Sequence, residues 1–115
     1  MRIKIDSLDR LFAQYIKLRD KTCQYCGGTG GLQTAHFWGR GMKSVRWDVD
    51  NACLLCFGHH QYFHSRPLEY VEWFSNRLNE EAFINLQARA NTPQKPDREL
   101  IRLKLKELIK EVENG

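Results

Sequence analysis

Four cysteines set beside histidines at short spacings, amphipathic segments on either side of them, and two strand-like stretches in between predict a small α+β fold. Its expected form is a β-hairpin core with a pair of zinc knuckles, entered by an N-terminal helix and followed by C-terminal helices. A chain of 115 residues, 42% hydrophobic and 28% charged, suffices for one compact domain and not for two ordinary ones. Residues 1–115 are therefore read as a single domain, with its core at about 21–66 and a helical extension at about 67–115. Neither the opening MRIKID nor any later stretch has an apolar run fit for a signal peptide or a membrane span, which predicts a soluble intracellular protein with no membrane partner. In a reducing compartment cysteines seldom pair as disulfides, so their grouping with histidines favours a metal ion. The net charge of +4 admits a polyanion such as nucleic acid as a partner.

From Ser7 to Asp20, Leu8, Leu11, Phe12, Tyr15 and Ile16 recur at helical spacing, with Asp6 or Ser7 as the cap and Asp9 in the first turn. Gly27, Gly28, Gly30 and Gly31 directly follow Cys23 and Cys26 and place that C-x-x-C on a tight knuckle. Leu32 to Trp38 reads as a short strand, Gly39 to Ser44 as a basic loop, Val45 to Ala52 as the return strand, and Cys56 to His64 as a helix. Pro67 opens a helix whose apolar face is Leu68, Val71, Trp73, Phe74 and Leu78, ending near Asn79. A second short helix spans Glu80 to Ala90, and Asn91 to Pro96 is a linker. The last helix runs from Asp97 to about Glu113, with Leu100, Ile101, Leu103, Leu105, Leu108, Ile109 and Val112 as a wide stripe. That stripe is expected to dock on the core or on a second copy of the chain, as in a homodimer.

Tetrahedral zinc takes four nitrogen or sulfur ligands, and two short spacers let two knuckles offer a pair each. Cys23 and Cys26 are the first pair. The second stays open, because NACLLCFGHH contains both Cys53-x-x-Cys56 and Cys56-x-x-His59. One choice gives a four-cysteine site. The other gives three cysteines and a histidine and leaves Cys53 as a small buried apolar residue.

Outside the knuckles stand His36 in the first strand, Asn51 at the end of the second, and His60 and His64 in the helix that follows. Residues four apart on a helix face the same side, so His60 and His64 can grip one divalent ion. Phosphodiester hydrolysis needs a deprotonated water and a cation to absorb charge on the phosphate. An imidazole titrating near neutrality suits the first task, and an ion held by few protein ligands suits the second. Arg40, Lys43 and Arg46 flank the hairpin and are candidates for neutralising phosphates.

The order of these features, in AHFWGRG, then RWDVDN, then CLLCFGHHQYFH, resembles the HNH, or ββα-metal, endonuclease family over Cys23 to His64. More loosely, the helix leading into KTCQYC and the LEYVEWF helix resemble phage recombination endonucleases of the NinG type, a group associated with branched as well as duplex DNA. The resemblance implies a ββα-metal core, DNA as the substrate, and the cytoplasm of a bacterial or phage-infected cell as the location. It implies His36 as the general base that takes a proton from the attacking water. Asn51 would brace the hairpin and orient that base, His60 would bind the catalytic ion (Mg2+, Mn2+ or another divalent ion), and His64 would be a further ligand. It also sets the last knuckle ligand directly before the final histidine, which points to His59, with Cys23, Cys26 and Cys56, around a structural zinc. One position departs from the pattern: the residue before the base, commonly a metal-binding Asp or His, is Ala35. Either His60 and His64 suffice with waters and phosphate oxygens, or a carboxylate such as Asp48 comes in. The alternative function is a zinc-knuckle module that binds nucleic acid without cutting it, and Ala35 is its best support.

Overall fold

A computed structural model of the chain describes residues 6–115. Among these, five α-helices surround a two-stranded antiparallel sheet: α1 (Ser7–Asp20), β1 (Leu32–His36), β2 (Ala52–Cys56), α2 (Phe57–His64), α3 (Pro67–Leu78), α4 (Glu80–Ala90) and α5 (Arg98–Asn114). None of the described helices is long and apolar enough to cross a membrane.

Asp6, not Ser7, caps α1. Its carboxylate accepts from the Leu8 and Asp9 amides at 2.9 and 3.2 Å, while the Asp9 carboxylate accepts from the Asp6 amide at 2.9 Å, a reciprocal capping box. The strands pair from Leu32 opposite Cys56 to His36 opposite Ala52. Because side chains alternate along a strand, β2 is buried on both faces. Ala52 and Leu54 pack with Leu8, Phe12, Tyr15 and Ile16 of α1 and with Leu105 and Ile109 of α5. Cys53 and Leu55 pack on the other side with Phe63, Phe74, Phe83 and Leu86 from α2, α3 and α4. The exposed edge of β2 is covered too, since the Leu54 amide donates to Asp20 at 2.9 Å and its carbonyl accepts from the Gln24 amide at 2.9 Å.

The return strand is Ala52–Cys56 rather than Val45 to Ala52; the chain before it makes two single 3-10 turns, Lys43–Val45 and Val49–Asn51. Side chains take over the backbone bonds that a ladder would have used: Asp48 caps the Asp50 amide at 3.0 Å, and the Asn51 amide donates to the carbonyls of Trp38 and Val45 at 2.9 and 3.0 Å. β1 likewise stops at His36, because the Trp38 amide donates to Asn51 Oδ1 at 2.8 Å. On α5 the wide stripe narrows: Leu105 and Ile109 are buried against α1, but Leu100 and Leu103 remain 47% and 57% exposed.

The connection between the strands is tied to α1 by an ion pair that is itself buried. Arg46, expected on the surface as a phosphate contact, is 8% exposed and grips Asp9 with Nε at 3.0 Å and Nη2 at 2.6 Å. Trp47 Nε1 donates to the same carboxylate at 3.0 Å. Burial pushes the Asp9 carboxyl up, but Arg46, the Asp6 amide and Trp47 together outweigh it and hold it below the usual value of 3.8. Its contribution to stability is therefore present above the unfolded value and lost as pH falls through the lower folded one. Asp9→Ala removes the carboxylate that holds this buried guanidinium and is expected to cost about 3 to 5 kcal/mol in a denaturant titration. A loss under about 1 kcal/mol, the range of exposed pairs, would show that water reaches Arg46 freely.

Candidate metal centre and histidine cleft

Cys23 and Cys26 lie on the turn after α1, Cys56 ends β2, and His59 lies in the first turn of α2. Their ligand atoms all fall within 4.8 Å of one another. Cys23 Sγ is 3.9 Å from His59 Nδ1, Cys26 Sγ is 3.9 Å from Cys56 Sγ, and Cys56 Sγ is 3.2 Å from His59 Nδ1. Zinc bonds of about 2.3 Å to sulfur and about 2.0 Å to nitrogen give tetrahedral edges of about 3.5 to 3.8 Å, so this group fits a zinc ion. The knuckle needs its glycines: Gly27 has φ +77°, and the Gly28 amide donates to Cys26 Sγ at 3.4 Å, where a Cβ on Gly28 would sit 3.3 Å from that sulfur.

Burial pushes the Cys23 thiol up, but the backbone amides of Cys56, Cys26 and Tyr25 bring it down to about 6, toward the thiolate that a metal requires. Cys53 is the opposite case. It is fully buried on the apolar face of β2, its thiol is pushed up to about 12 by burial, and it stands outside the ligand group. The structure thus brings together Cys23, Cys26, Cys56 and His59.

His36, His60 and His64 line a cleft of about 400 Å³ walled by Trp38, Phe63, Tyr70 and Val71. His36 ends β1. Its Nε2 lies 3.2 Å from the Arg46 carbonyl, and Phe12 of α1 lies 5.5 Å away ring to ring. The carbonyl can only accept, so Nε2 carries the proton and Nδ1 keeps its lone pair. Burial, only partly offset by the hydrogen bond to Arg46, holds His36 below the usual 6.5, and the charge of Arg40 adds to that depression. The imidazole is therefore neutral near pH 7.

Asn51 is fully buried and braces the connection between the strands through Phe37, Trp38 and Val45, acting on His36 through the backbone on either side of that connection and not by direct contact of their side chains. His60 and His64 follow on α2. His60 Nδ1 lies 2.6 Å from Gln33 Oε1, and burial, with a smaller effect from His64, lowers its pKa. Gln33 was not anticipated. Nothing in a lone polar strand residue marks it, although strand parity sets it on the face of Ala35, toward α2.

Arg40 is half-buried near His36, and Lys43 is exposed. Ala35 is 1% exposed opposite Cys53. Asp48, the candidate for a supplementary ligand, is instead held by Arg89 at 2.6 and 3.1 Å and borders a different groove, beside α5. Among the described residues, the Cys and His group is the one cluster of three or more potential ligands. Comparison with protein-family models, curated proteins and solved structures returned no match.

Cys53→Ser is expected to keep its zinc, whereas Cys56→Ala and His59→Ala lose it and melt at lower temperature, as atomic emission and thermal denaturation would read. Zinc lost in Cys53→Ser but kept in His59→Ala would overturn this ligand group.

Proposed function

We propose that the chain is a metal-dependent endonuclease of the HNH kind that hydrolyses DNA phosphodiester bonds, in duplex or branched DNA, and carries a structural zinc at Cys23, Cys26, Cys56 and His59. The single observation that carries this reading is the cleft in which His36, His60 and His64 meet. His36 is supported as the general base by its fixed tautomer: Nε2–H is committed to the Arg46 carbonyl, and the Nδ1 lone pair can take a proton from water. Asn51 is a positioning residue, because its three hydrogen bonds hold the segment that supplies that carbonyl. His60 and His64 are the candidate holders of an exchangeable divalent ion, which would supply charge stabilisation at the phosphate. Arg40, whose charge is felt at His36, remains a candidate for a phosphate contact; Lys43 is exposed but borders the groove beside α5 rather than the cleft, and the Arg46 side chain is engaged with Asp9.

A second reading is a zinc-knuckle module that binds nucleic acid without cutting. It is favoured by Ala35, whose methyl group lies in the core where a third ligand would be needed. Incubating the protein with plasmid, single-stranded, flap and four-way-junction DNA in Mg2+ or Mn2+ separates the two. Salt-dependent binding with no cleavage of any substrate would decide for the module.

His36→Ala is expected to lower the cleavage rate by about 10² to 10⁴, the usual contribution of a positioned base, with zinc content and DNA affinity unchanged. Full activity would remove His36 from the chemistry. Because its pKa is lowered and the neutral ring is the active form, the acid limb of the rate profile should fall below pH 6.5, the ordinary histidine value. An inflection above that value would contradict the assignment. Chelator should abolish cleavage before it removes the structural zinc, since two ligands hold an ion less tightly than four. Cleavage by His60→Ala in excess chelator would exclude a metal-dependent step.

A further inference from the structure

His60 and His64 would each have to present an unprotonated ring nitrogen to bind an ion, and a neutral imidazole has one such nitrogen in either of two tautomers. Among the cleft histidines, His60 has its own side-chain partner: Gln33 Oε1 stands 2.6 Å from His60 Nδ1. Gln33 is on β1 and His60 on α2, so the contact crosses from the sheet to the helix that packs on it. An amide oxygen has lone pairs and no proton, which puts the hydrogen on Nδ1 and leaves Nε2, across the ring, as the lone-pair nitrogen.

We propose that Gln33 is a positioning residue for the cleft ion: it fixes the His60 ring and its Nδ1–H tautomer so that Nε2 is the metal-binding atom. The proposal rests on the reading of His60 as a ligand of that ion, not on whether the bound ion cuts DNA. The site has particular need of such help. Ala35 supplies no ligand and Asp48 is held by Arg89, so the affinity left to the cleft depends on how well two imidazoles are presented. Outer partners of ligating histidines fix orientation and raise ligand basicity, and their loss typically weakens metal binding about 10- to 100-fold. Gln33 is exposed and takes no part in the apolar clusters, so its side chain can be changed without opening the core. An amide turned the other way would donate to Nδ1, place the proton on Nε2 and block ligation from that atom, which makes the tautomer a direct test.

The experiment uses the full zinc-loaded chain and its Gln33→Ala, Gln33→Glu and His60→Ala variants. Long-range proton–nitrogen NMR reads the His60 tautomer before any second ion is added, and calorimetric titration with Mn2+ reads the cleft affinity. Expected are the Nδ1–H form in the native chain, a shift toward Nε2–H in Gln33→Ala with Mn2+ binding about 10- to 100-fold weaker, and recovery of both in Gln33→Glu. Zinc content and melting temperature should stay constant. An unchanged tautomer and Mn2+ affinity in Gln33→Ala overturns the proposal, as does a native Nε2–H form or native Mn2+ binding that His60→Ala leaves intact. A loss that Gln33→Glu does not rescue, or one that comes with lost zinc and a lower melting temperature, assigns Gln33 to the scaffold and also overturns it. Should the alanine variant fail to fold, Gln33→Met, which keeps the length and removes the acceptor, gives the same readouts. Neither readout needs cleavage, so a chain that cuts no DNA but passes both loses the nuclease reading and keeps this one.

Discussion

Cys56 is both the last residue of β2 and the cap residue of α2, and the convergence of its sulfur with Cys23, Cys26 and His59 is the constraint on which the rest of the arrangement depends. α2 has eight residues and no side-chain cap, too little to hold a helix in isolation. Its direction is set by Phe63, buried further along it, and would be set at its first turn by an ion held at His59. Once His59 is turned to the sulfurs, helical geometry settles where the next residue and the one a further turn on must point. His60 and His64 would thus be aimed in part by a neighbouring group of ligands, alongside the contact of His60 with Gln33. A structural zinc in such a knuckle pair contributes about 10 to 16 kcal/mol of binding energy, as large as the whole stability of a small domain at about 5 to 15 kcal/mol. An ion held at that junction and the geometry of the cleft therefore stand or fall together.

The other side of the cleft is positioned by α1. Arg46 serves twice: its guanidinium is bound to Asp9 at the start of α1, and its carbonyl is the partner of His36. Phe12, one turn further along the same helix, is the ring beside that imidazole. At the far end of α1, Arg19 donates to the carbonyls of Val49 and Ala52 at 2.7 and 2.8 Å and so fixes where β2 begins. A helix that the sequence marks only as amphipathic thus sets the acceptor, the wall and the strand start that together place His36. The pKa of that histidine is depressed for the same reason, because the packing that orients it also keeps water from it.

What the sequence reveals and what it hides divide along the range of the interactions involved. Helical periodicity is local, and Glu80–Ala90 and Pro67–Leu78 lie where Phe74, Phe83 and Leu86 require them. The spacing of Cys23, Cys26, Cys56 and His59 is also local within each pair, but spacing alone leaves Cys53 and His59 open; the resemblance points to His59, and the parity of β2, which turns Cys53 into the core, agrees with it. The return strand was misplaced because Val45, Trp47 and Val49 look strand-like, while the bonds that bend the segment come from Asn51, Asp48 and Asp9, the last of these on another element. Arg46 next to a hairpin reads as a surface cation until its partner, 37 residues earlier, is known. Gln33 carries no motif at all; only its distance to His60 gives it meaning.

Ala35 connects the packing to the chemistry. It lies opposite Cys53 in the strand pairing and belongs to the same apolar cluster as Phe63 and Phe74. A carboxylate there would have to leave water or break into the cluster, at the cost of a buried charge. The chain has packing where the pattern it resembles has a ligand, and the residues lining the cleft include no carboxylate. Under the proposed reading this shapes the choice of ion. Mg2+ prefers an octahedron of oxygens and sheds its waters reluctantly, whereas Mn2+, Co2+ and Ni2+, in that rising order, and also Zn2+ accept imidazole more readily. Two imidazoles and no carboxylate therefore favour a transition ion over Mg2+. They also leave most of its coordination positions to water and to phosphate oxygens, so that the substrate itself would complete the site.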